Sequence, residues 1–558
     1  MSNKNKSTHA HFSRRTFLGL SALSTASALG LTTVSLGTPG QAQASWFSRP
    51  WLAQPHKPEP IASHYSAIVV GSGYGGAVAA LRLGEAGVDT LMLEMGMLWN
   101  QPASDGNVFC KMSSPDGRAM WFRDRTEAPL DRIFGLDLVN RNIEHYPGVL
   151  DRLNYPNMSV YLGRGVGGGS LVNGGMAVVP RRDLLERILP DVSTAEMYQH
   201  YFPKASAMLG VNSASRALLD SRYYRFTRVG QRTAERAGFR MVDVPGVYDF
   251  DYMLREARGQ APQSGLDQEV IYGNNAGKQT LDKNYLPAAL GTGHVTLRAM
   301  TRVTGIRTDA NGTYYLALET IDVNGTVTET REISCQQLFL AAGCVGTTEL
   351  LLRARETGTL PELNDQIGLG WGNNGNFMAA RGNRLLDYTG ARQSGFPISG
   401  IDNWDDPRNP AFVEIAPLPT GFETWASLYL AITDNPERGH FSYDRAQDKA
   451  ILHWAAHQSR PSYEMTTAVL DRINDANRTD YRRGLFAGNR FYADNFTYHP
   501  LGGCLLGKAT DDRGGVRGYQ NLFVIDGSLL PGNVGVNPFL TITALAERNM
   551  HHILKGSN

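Results

Sequence analysis

Tyr65-Ser66-Ala67-Ile68-Val69-Val70-Gly71-Ser72-Gly73-Tyr74-Gly75-Gly76 is the stretch on which the fold turns. A short apolar run rich in β-branched residues reads as a buried parallel strand, and Ala77 to Ala86 follows as a compact helix. Asp89 to Glu94 reads as a second strand. Between the first strand and the helix, Gly71, Gly73 and Gly76 fit GxGxxG, and Glu94 closes the next strand 18 residues after Gly76. In that context the first two glycines permit a tight turn and close approach of backbone to a pyrophosphate. The third lets the helix pack on the strand, with its positive end toward the phosphates. Glu94 would accept hydrogen bonds from the adenosine ribose hydroxyls. The whole turn, Gly71 to Gly76 with Ser72, Tyr74 and Gly75, is therefore expected to hold a dinucleotide.

Two further segments favour FAD over NAD. Tyr161 to Gly175 carries glycines at 163, 165, 167, 168, 169, 174 and 175, with Ser170 and Asn173 among them and Met176 just beyond. Such a run offers many backbone N–H groups without side chains in the way, and its interleaved Val166, Leu171, Val172 and Met176 argue against a flexible linker. The second segment, Asn521 to Ser528, reads as a strand ending in Asp526-Gly527. Asn537, Pro538 and Phe539 then open an apolar helix to about Leu554. Asn537 suits an N-cap and Pro538 a first helical turn, which would aim the positive helix end at the flavin.

Elsewhere, Val295 to Ile306, Tyr314 to Val323 and Thr326 to Ile333 read as strands, the last two joined through Asn324-Gly325. Leu338 to Gly343 reads as a separate buried strand leading into a helix from Thr347 to Arg355. These elements look like the cofactor domain resuming after an excursion, so its parts are expected at 62–97, 279–369 and 515–558. A substrate domain is expected at 98–278 and 370–514.

Ahead of the fold, Ser13-Arg14-Arg15-Thr16-Phe17-Leu18 places an arginine pair before a moderately apolar stretch, and Ala42-Gln43-Ala44 supplies a small-x-small cleavage site. Residues 1–44 therefore read as an export signal of twin-arginine type, implying a secreted or periplasmic enzyme that acquires its cofactor before export. Residues 45–61 form a Pro-rich leader. No later stretch is long and apolar enough to span a bilayer. With 54 Lys+Arg against 53 Asp+Glu, a formal charge of +1, the chain has no electrostatic footprint for nucleic acid. Cys110, Cys335, Cys344 and Cys504 show no metal-ligand spacing and read as buried small hydrophobes, with one disulfide open. No metal is expected.

At these motifs the chain resembles the glucose-methanol-choline oxidoreductases, and within them the bacterial sterol oxidases that hold FAD without a covalent bond. The likeness runs from about Tyr65 to the C-terminus. It is carried by Gly163 to Met176, by Glu414-Ile415-Ala416-Pro417, by Tyr498-His499-Pro500-Leu501-Gly502-Gly503-Cys504, and by Gly535-Val536-Asn537-Pro538-Phe539. The resemblance implies an α/β fold, with a Rossmann-like FAD domain and a discontinuous substrate domain built on a large antiparallel sheet. It also implies oxidation of the 3β-hydroxyl of a sterol such as cholesterol, with O2 as acceptor and hydrogen peroxide as product; a dehydrogenase with another acceptor would look similar. His499, otherwise one of thirteen histidines, takes the family's active-site position. Asn537 occupies a position where the family has His or Asn, and an amide there donates hydrogen bonds rather than acting as a base. Glu414 is implied as the base that moves a proton from C4 to C6 of the 5-en-3-one, giving the conjugated 4-en-3-one. A relative acting on a sugar or small alcohol, or a lipid-binding flavoprotein without turnover, would share the cofactor motifs; the setting of Glu414 weighs against the first. Apolar loops at Ile133 to Val149 and Gly484 to Phe491 are candidates for transient contact with a membrane surface.

Overall fold

The computed structural model describes residues 60–556, except 130–131, 134–135, 138, 419–420 and 483–494. The export signal, nearly all of the Pro-rich leader and the Gly484 to Phe491 loop lie outside the described residues.

Strand His64–Val70 is wholly apolar at its C-terminal end and sits inside a mixed sheet of seven strands among the described residues. Thr90–Leu93 and the second half of Val327–Leu340 flank it, both parallel. Val295–Arg298 extends the parallel part on one side, and Leu522–Val524 pairs parallel with Leu338 to Leu340 on the other. Tyr314–Ile321 and Thr301–Thr308 continue as an antiparallel meander. One sheet thus gathers strands from three distant parts of the chain. Helix Tyr74–Glu85 packs on it beside the C-terminal helix Phe539–Lys555.

Two local expectations are corrected. Thr326–Ile333 and Leu338–Gly343 are one strand of 14 residues, Val327–Leu340, which trades partners midway. Val295–Ile306 is instead two strands, because Met300 turns the chain with a φ of 53°. Among the described residues all four cysteines are free and buried.

The second large sheet is antiparallel throughout. Its order is Asn376–Gly382, Ala426–Thr433, Ala411–Ala416, Ser399–Asp402 and Met241–Asp243. Alternation along Ala411–Ala416 sends Val413 and Ile415 to one face and Phe412, Glu414 and Ala416 to the other. Helix Arg225–Arg236 covers the first face so closely that a Cβ at Gly230 would stand 2.6 Å from the Ile415 side chain. On the other face Glu414 is opposite Leu430, which in turn is opposite Met378. Asn376, Met378 and Ala380 therefore share the face of Glu414.

Between Ile133 and Val149 the expectation of an apolar surface loop fails at Ile143, Tyr146 and Val149, which are buried in a core cluster with Trp99 and Phe109. Large apolar side chains are exposed elsewhere: Leu385 at 76%, Leu386 at 86%, Tyr388 and Phe422. No helix among the described residues is long and apolar enough to cross a membrane.

Candidate active site

A cavity of about 680 Å³ runs along the C-terminal ends of the parallel strands. Its wall includes Gly71 to Gly75, Glu94, Gly168, Gly169, Asn173 to Met176, Thr301 to Thr304, Tyr498 to Pro500, Asp526, Gly527 and Asn537 to Phe539. This is where an open α/β sheet binds its ligand.

The glycines of the first turn have separate reasons. Gly71 has φ +100°, and a Cβ there would meet the Ala341 carbonyl oxygen at 2.3 Å. A Cβ at Gly73 would meet nothing within 4 Å, so that backbone faces open cavity. Gly76 lies against the Gly71 carbonyl oxygen, which would stand 2.0 Å from its Cβ, and this is the close helix-on-strand packing expected of the third glycine. Gly75 has the tightest neighbour, with the Ile525 carbonyl oxygen 1.4 Å from a Cβ built on it. Glu94 is buried, and one carboxylate oxygen accepts from the Ser72 N–H at 3.1 Å and its hydroxyl at 2.7 Å. The other accepts from the Gly96 N–H at 2.9 Å.

In the Gly-rich segment the structure divides the residues. Gly169, Asn173, Gly174 and Met176 line the cavity, whereas Gly165 and Ser170 stand behind its wall. Gly165 packs against Trp99, and the Ser170 hydroxyl is engaged by the Gly167 carbonyl and the Leu281 N–H. The Asn173 amide donates to the Tyr74 hydroxyl at 2.7 Å, and the Tyr74 ring stacks on Phe539 with centroids 4.9 Å apart. One chain of contacts thus joins the first turn, the glycine segment and the C-terminal helix. Asp526 lines the cavity with both carboxylate oxygens filled, one by Ser528 and the other by the Gly343 N–H and the Thr347 hydroxyl. It pins the 526–528 turn to the start of helix Gly343–Thr357.

Sequence reasoning missed Lys278, which is fully buried and donates to the Asn173 carbonyl. Burial and neighbouring Lys283, partly offset by Asp282, push its ammonium down to about 7. Nothing in its Gly277-Lys278-Gln279 setting marks it as buried.

The other end of the cavity holds the histidine. His499 lines the cavity and is half-buried, and loss of solvent around the ring pushes its pKa down to about 3. It is therefore neutral near pH 7. Its tautomer follows from Asn374, whose amide orientation is fixed by two backbone partners. Asn374 Oδ1 accepts from the Val534 N–H at 2.9 Å, and its Nδ2 donates to the Val536 carbonyl at 2.8 Å. The same Nδ2 lies 3.4 Å from His499 Nδ1, which must accept. Asn376 presents both its amide nitrogen, at 3.0 Å, and its amide oxygen, at 3.1 Å, to that ring nitrogen and so accommodates either tautomer, which leaves the Asn374 amide to decide. The ring proton is thereby assigned to Nε2, across the ring from both asparagines. Asn374 and Asn376 were also missed; the run Asn373-Asn374-Gly375-Asn376 signals a turn, as the φ of 58° at Asn374 bears out, but not what the turn holds.

Asn537 is corrected as a cap. Pro538 holds the N-cap position of helix Phe539–Lys555, and no side chain caps it. The Asn537 amide oxygen is buried without a partner. Beside it Glu414 is fully buried, and neither carboxylate oxygen makes a hydrogen bond. Desolvation raises Glu414 to about 8, opposed only weakly by the nearby Asn537 amide, which closes no geometric hydrogen bond to it.

Comparison with known proteins fits this geometry. Residues 65–355, more than half of the chain, match the family model described as GMC oxidoreductase, and 374–487 and 437–546 match its C-terminal models.

The chain belongs to the GMC oxidoreductases.

Among its relatives are proteins named cholesterol oxidase from Acinetobacter baumannii, 25% identical over 88% of this chain and 94% of that one, and from Mycobacterium tuberculosis, 24% identical over 87% and 90%. Pyridoxine 4-oxidase from Mesorbium loti shares the fold, with a TM-score of 0.58 at 15% identity, covering 88% of this chain and 99% of that one. The cofactor of this chain is FAD, as in the family. The cavity suits that group: Gly73 and Gly169 face open space where a side chain would intrude, Glu94 keeps lone pairs for ribose hydroxyls, and the orphaned Asn537 oxygen marks a polar partner still to be met.

Proposed function

We propose that this GMC oxidoreductase oxidises the 3β-hydroxyl of a sterol and then moves the 5,6 double bond into conjugation with the new ketone. When bound, FAD would supply the two-electron acceptor for the hydride, with O2 as the final acceptor, and the hydroxyl proton and the hydride would both end on the hydrogen peroxide released.

The observation that carries the reading is Glu414, a carboxylate with no partner on an apolar sheet face beside Asn537. A sugar offers several hydroxyls and would call for a wall of polar partners. The neighbours of Glu414 on its face, Leu428, Leu430, Met378 and Ala416, offer hydrocarbon instead. The His499 Nε2–H donates to the sterol oxygen and orders it, since Nδ1 is already taken by Asn374 and Asn376. Glu414, held near 8 by burial, is a stronger base than an ordinary carboxylate, and its ionised form can accept a proton from C4 and return it to C6. The relatives named cholesterol oxidase support this substrate class. Twin-arginine-type residues at the N-terminus support export, and exposed Leu385, Leu386 and Phe422 support brief contact with a bilayer that carries the sterol.

The test is product identity. Mixed with cholesterol, the parent enzyme should release cholest-4-en-3-one, and Glu414→Gln should still bleach its flavin but release cholest-5-en-3-one. Conjugated ketone from the variant at the parental rate would remove Glu414 from the isomerisation. Failure of the parent to bleach with any sterol would remove the substrate class.

A further inference from the structure

We propose that the Met176 thioether is the site at which the enzyme's own hydrogen peroxide modifies it, by conversion to methionine sulfoxide. The proposal rests on O2 being the electron acceptor.

Met176 ends the glycine segment and lines the cavity at 7% exposure. Its sulfur lies over Gly174, where a Cβ would stand 2.6 Å from Sδ. Peroxide released into this cavity is released beside the sulfur. Two other thioethers lie nearby, and each has its lone pair engaged. Met95 lines the cavity, but its Sδ accepts from the Arg164 guanidinium at 3.1 Å, which draws electron density from the sulfur. Met378 lies 3.9 Å from the Tyr498 hydroxyl, which donates to it, and does not reach the cavity wall. Among the described residues no hydrogen-bond donor reaches the Met176 sulfur, so its lone pairs are free to act as nucleophile.

The step balances without a further reactant. A sulfur lone pair attacks one peroxide oxygen, an S–O bond forms and the O–O bond breaks. The proton of the transferred oxygen passes to the departing hydroxide, giving sulfoxide and water. Sulfur is oxidised by two electrons and peroxide is reduced by two.

The product is polar where the surroundings are not, for Met176 packs in an apolar cluster with Tyr248, Phe396 and Val536. Its backbone also bridges to Gly246, and Gly175 before it holds φ +76° against the Tyr248 ring. A sulfoxide there would shift the segment that presents Asn173 and Gly174 to the cavity. Oxidation should therefore loosen FAD and end activity.

The experiment uses the FAD-loaded enzyme turning over cholesterol in air until half its activity is lost, with peroxide measured throughout, followed by peptide mass spectrometry. Met176 should gain one oxygen roughly fivefold faster than the average methionine, in step with the activity loss. In Met176→Leu the inactivation rate, scaled to that variant's own initial rate, should fall several-fold, while Met95→Leu should inactivate like the parent. If peroxide accumulates and Met176 stays unoxidised while activity falls, the proposal is overturned. If no peroxide forms, the O2 reading fails; peroxide added to the resting enzyme then decides for Met176, which must still be oxidised ahead of the other methionines or be discarded.

Discussion

Glu414 gives up its hydration on folding and gains no hydrogen bond for either oxygen, so the folded protein holds its proton to about pH 8 against an ordinary 4.5. Between those values the folded state binds more protons than the unfolded one, and stability falls as pH rises; above about 8 the cost is constant. Glu414→Gln removes the term. Thermal melts of FAD-loaded parent and variant should agree near pH 4.5 and separate, with the variant higher by about 1–5 °C, as pH approaches 8. A gap that does not vary with pH would mean that the carboxylate is solvated or paired in solution. His499 allows a matching test of chemistry, since losing a positioned hydrogen-bond donor should slow bleaching by sterol by about 100-fold in His499→Ala, with FAD retained. Near-parental single-turnover bleaching would dismiss the residue. Both side chains were legible in the sequence only through their neighbours, Ile415-Ala416-Pro417 and Pro500-Leu501-Gly502-Gly503. An isolated Glu or His carries no mark of burial, and burial is what shifts both.

Elements became legible where one pattern ran from end to end. The Tyr65 to Val70 strand, the following helix and the C-terminal helix each bury a continuous apolar set, and each was placed within a few residues. Val327–Leu340 was split because Ser334-Cys335-Gln336-Gln337 breaks the apolar run. In the fold this is where the strand leaves its antiparallel partner Tyr314–Ile321 and takes the parallel partner His64–Val70. A change of partner leaves no periodic signal. The clamp between the Gly372 to Asn376 turn and the Gly532 to Asn537 loop was invisible for the same reason, being made of side-chain amides on backbone groups 160 and 162 positions away. Asn374→Asp tests it, because a carboxylate keeps the acceptor for Val534 but replaces the donor facing His499 Nδ1 with an anion. The anion would raise the imidazole pKa and, above that pKa, hold the remaining proton on Nδ1, so that Nε2 loses its hydrogen. Bleaching should slow by about 10–100-fold above the new pKa and recover as pH falls through it and the imidazolium regains Nε2–H, a dependence that the parent lacks near neutral pH. An unchanged profile would show that Asn374 does not set the proton on His499.

At the scale of the whole molecule the cofactor cavity is the meeting point of distant segments. Its wall takes residues from Val70 to Ile542, including the first turn, the glycine segment, the antiparallel meander, the histidine loop and the start of the last helix. A ligand filling such a cavity binds only the folded chain, and at about a thousandfold over its dissociation constant contributes about 4 kcal/mol. Stripping FAD should therefore lower the melting temperature, and restoring it should raise it again in a concentration-dependent way. The two ends of the cavity can be told apart by length of ligand. Glu94 and Thr301 to Thr304 line one end, where an adenosine half would lie, while His499 and Asn537 line the other. FMN reaches only the second. Titrated into the stripped protein, FAD should recover the full melting temperature and FMN only part of it. Glu94→Gln should bring the FAD curve down toward the FMN curve, because one ribose acceptor is lost while Ser72 can still hold the side chain. Gly73→Val should fall further, since its side chain enters space that is open within 4 Å and that the pyrophosphate must occupy. If FMN stabilises as well as FAD, or if Gly73→Val purifies with full FAD, the Glu94 end of the cavity is not the adenosine site.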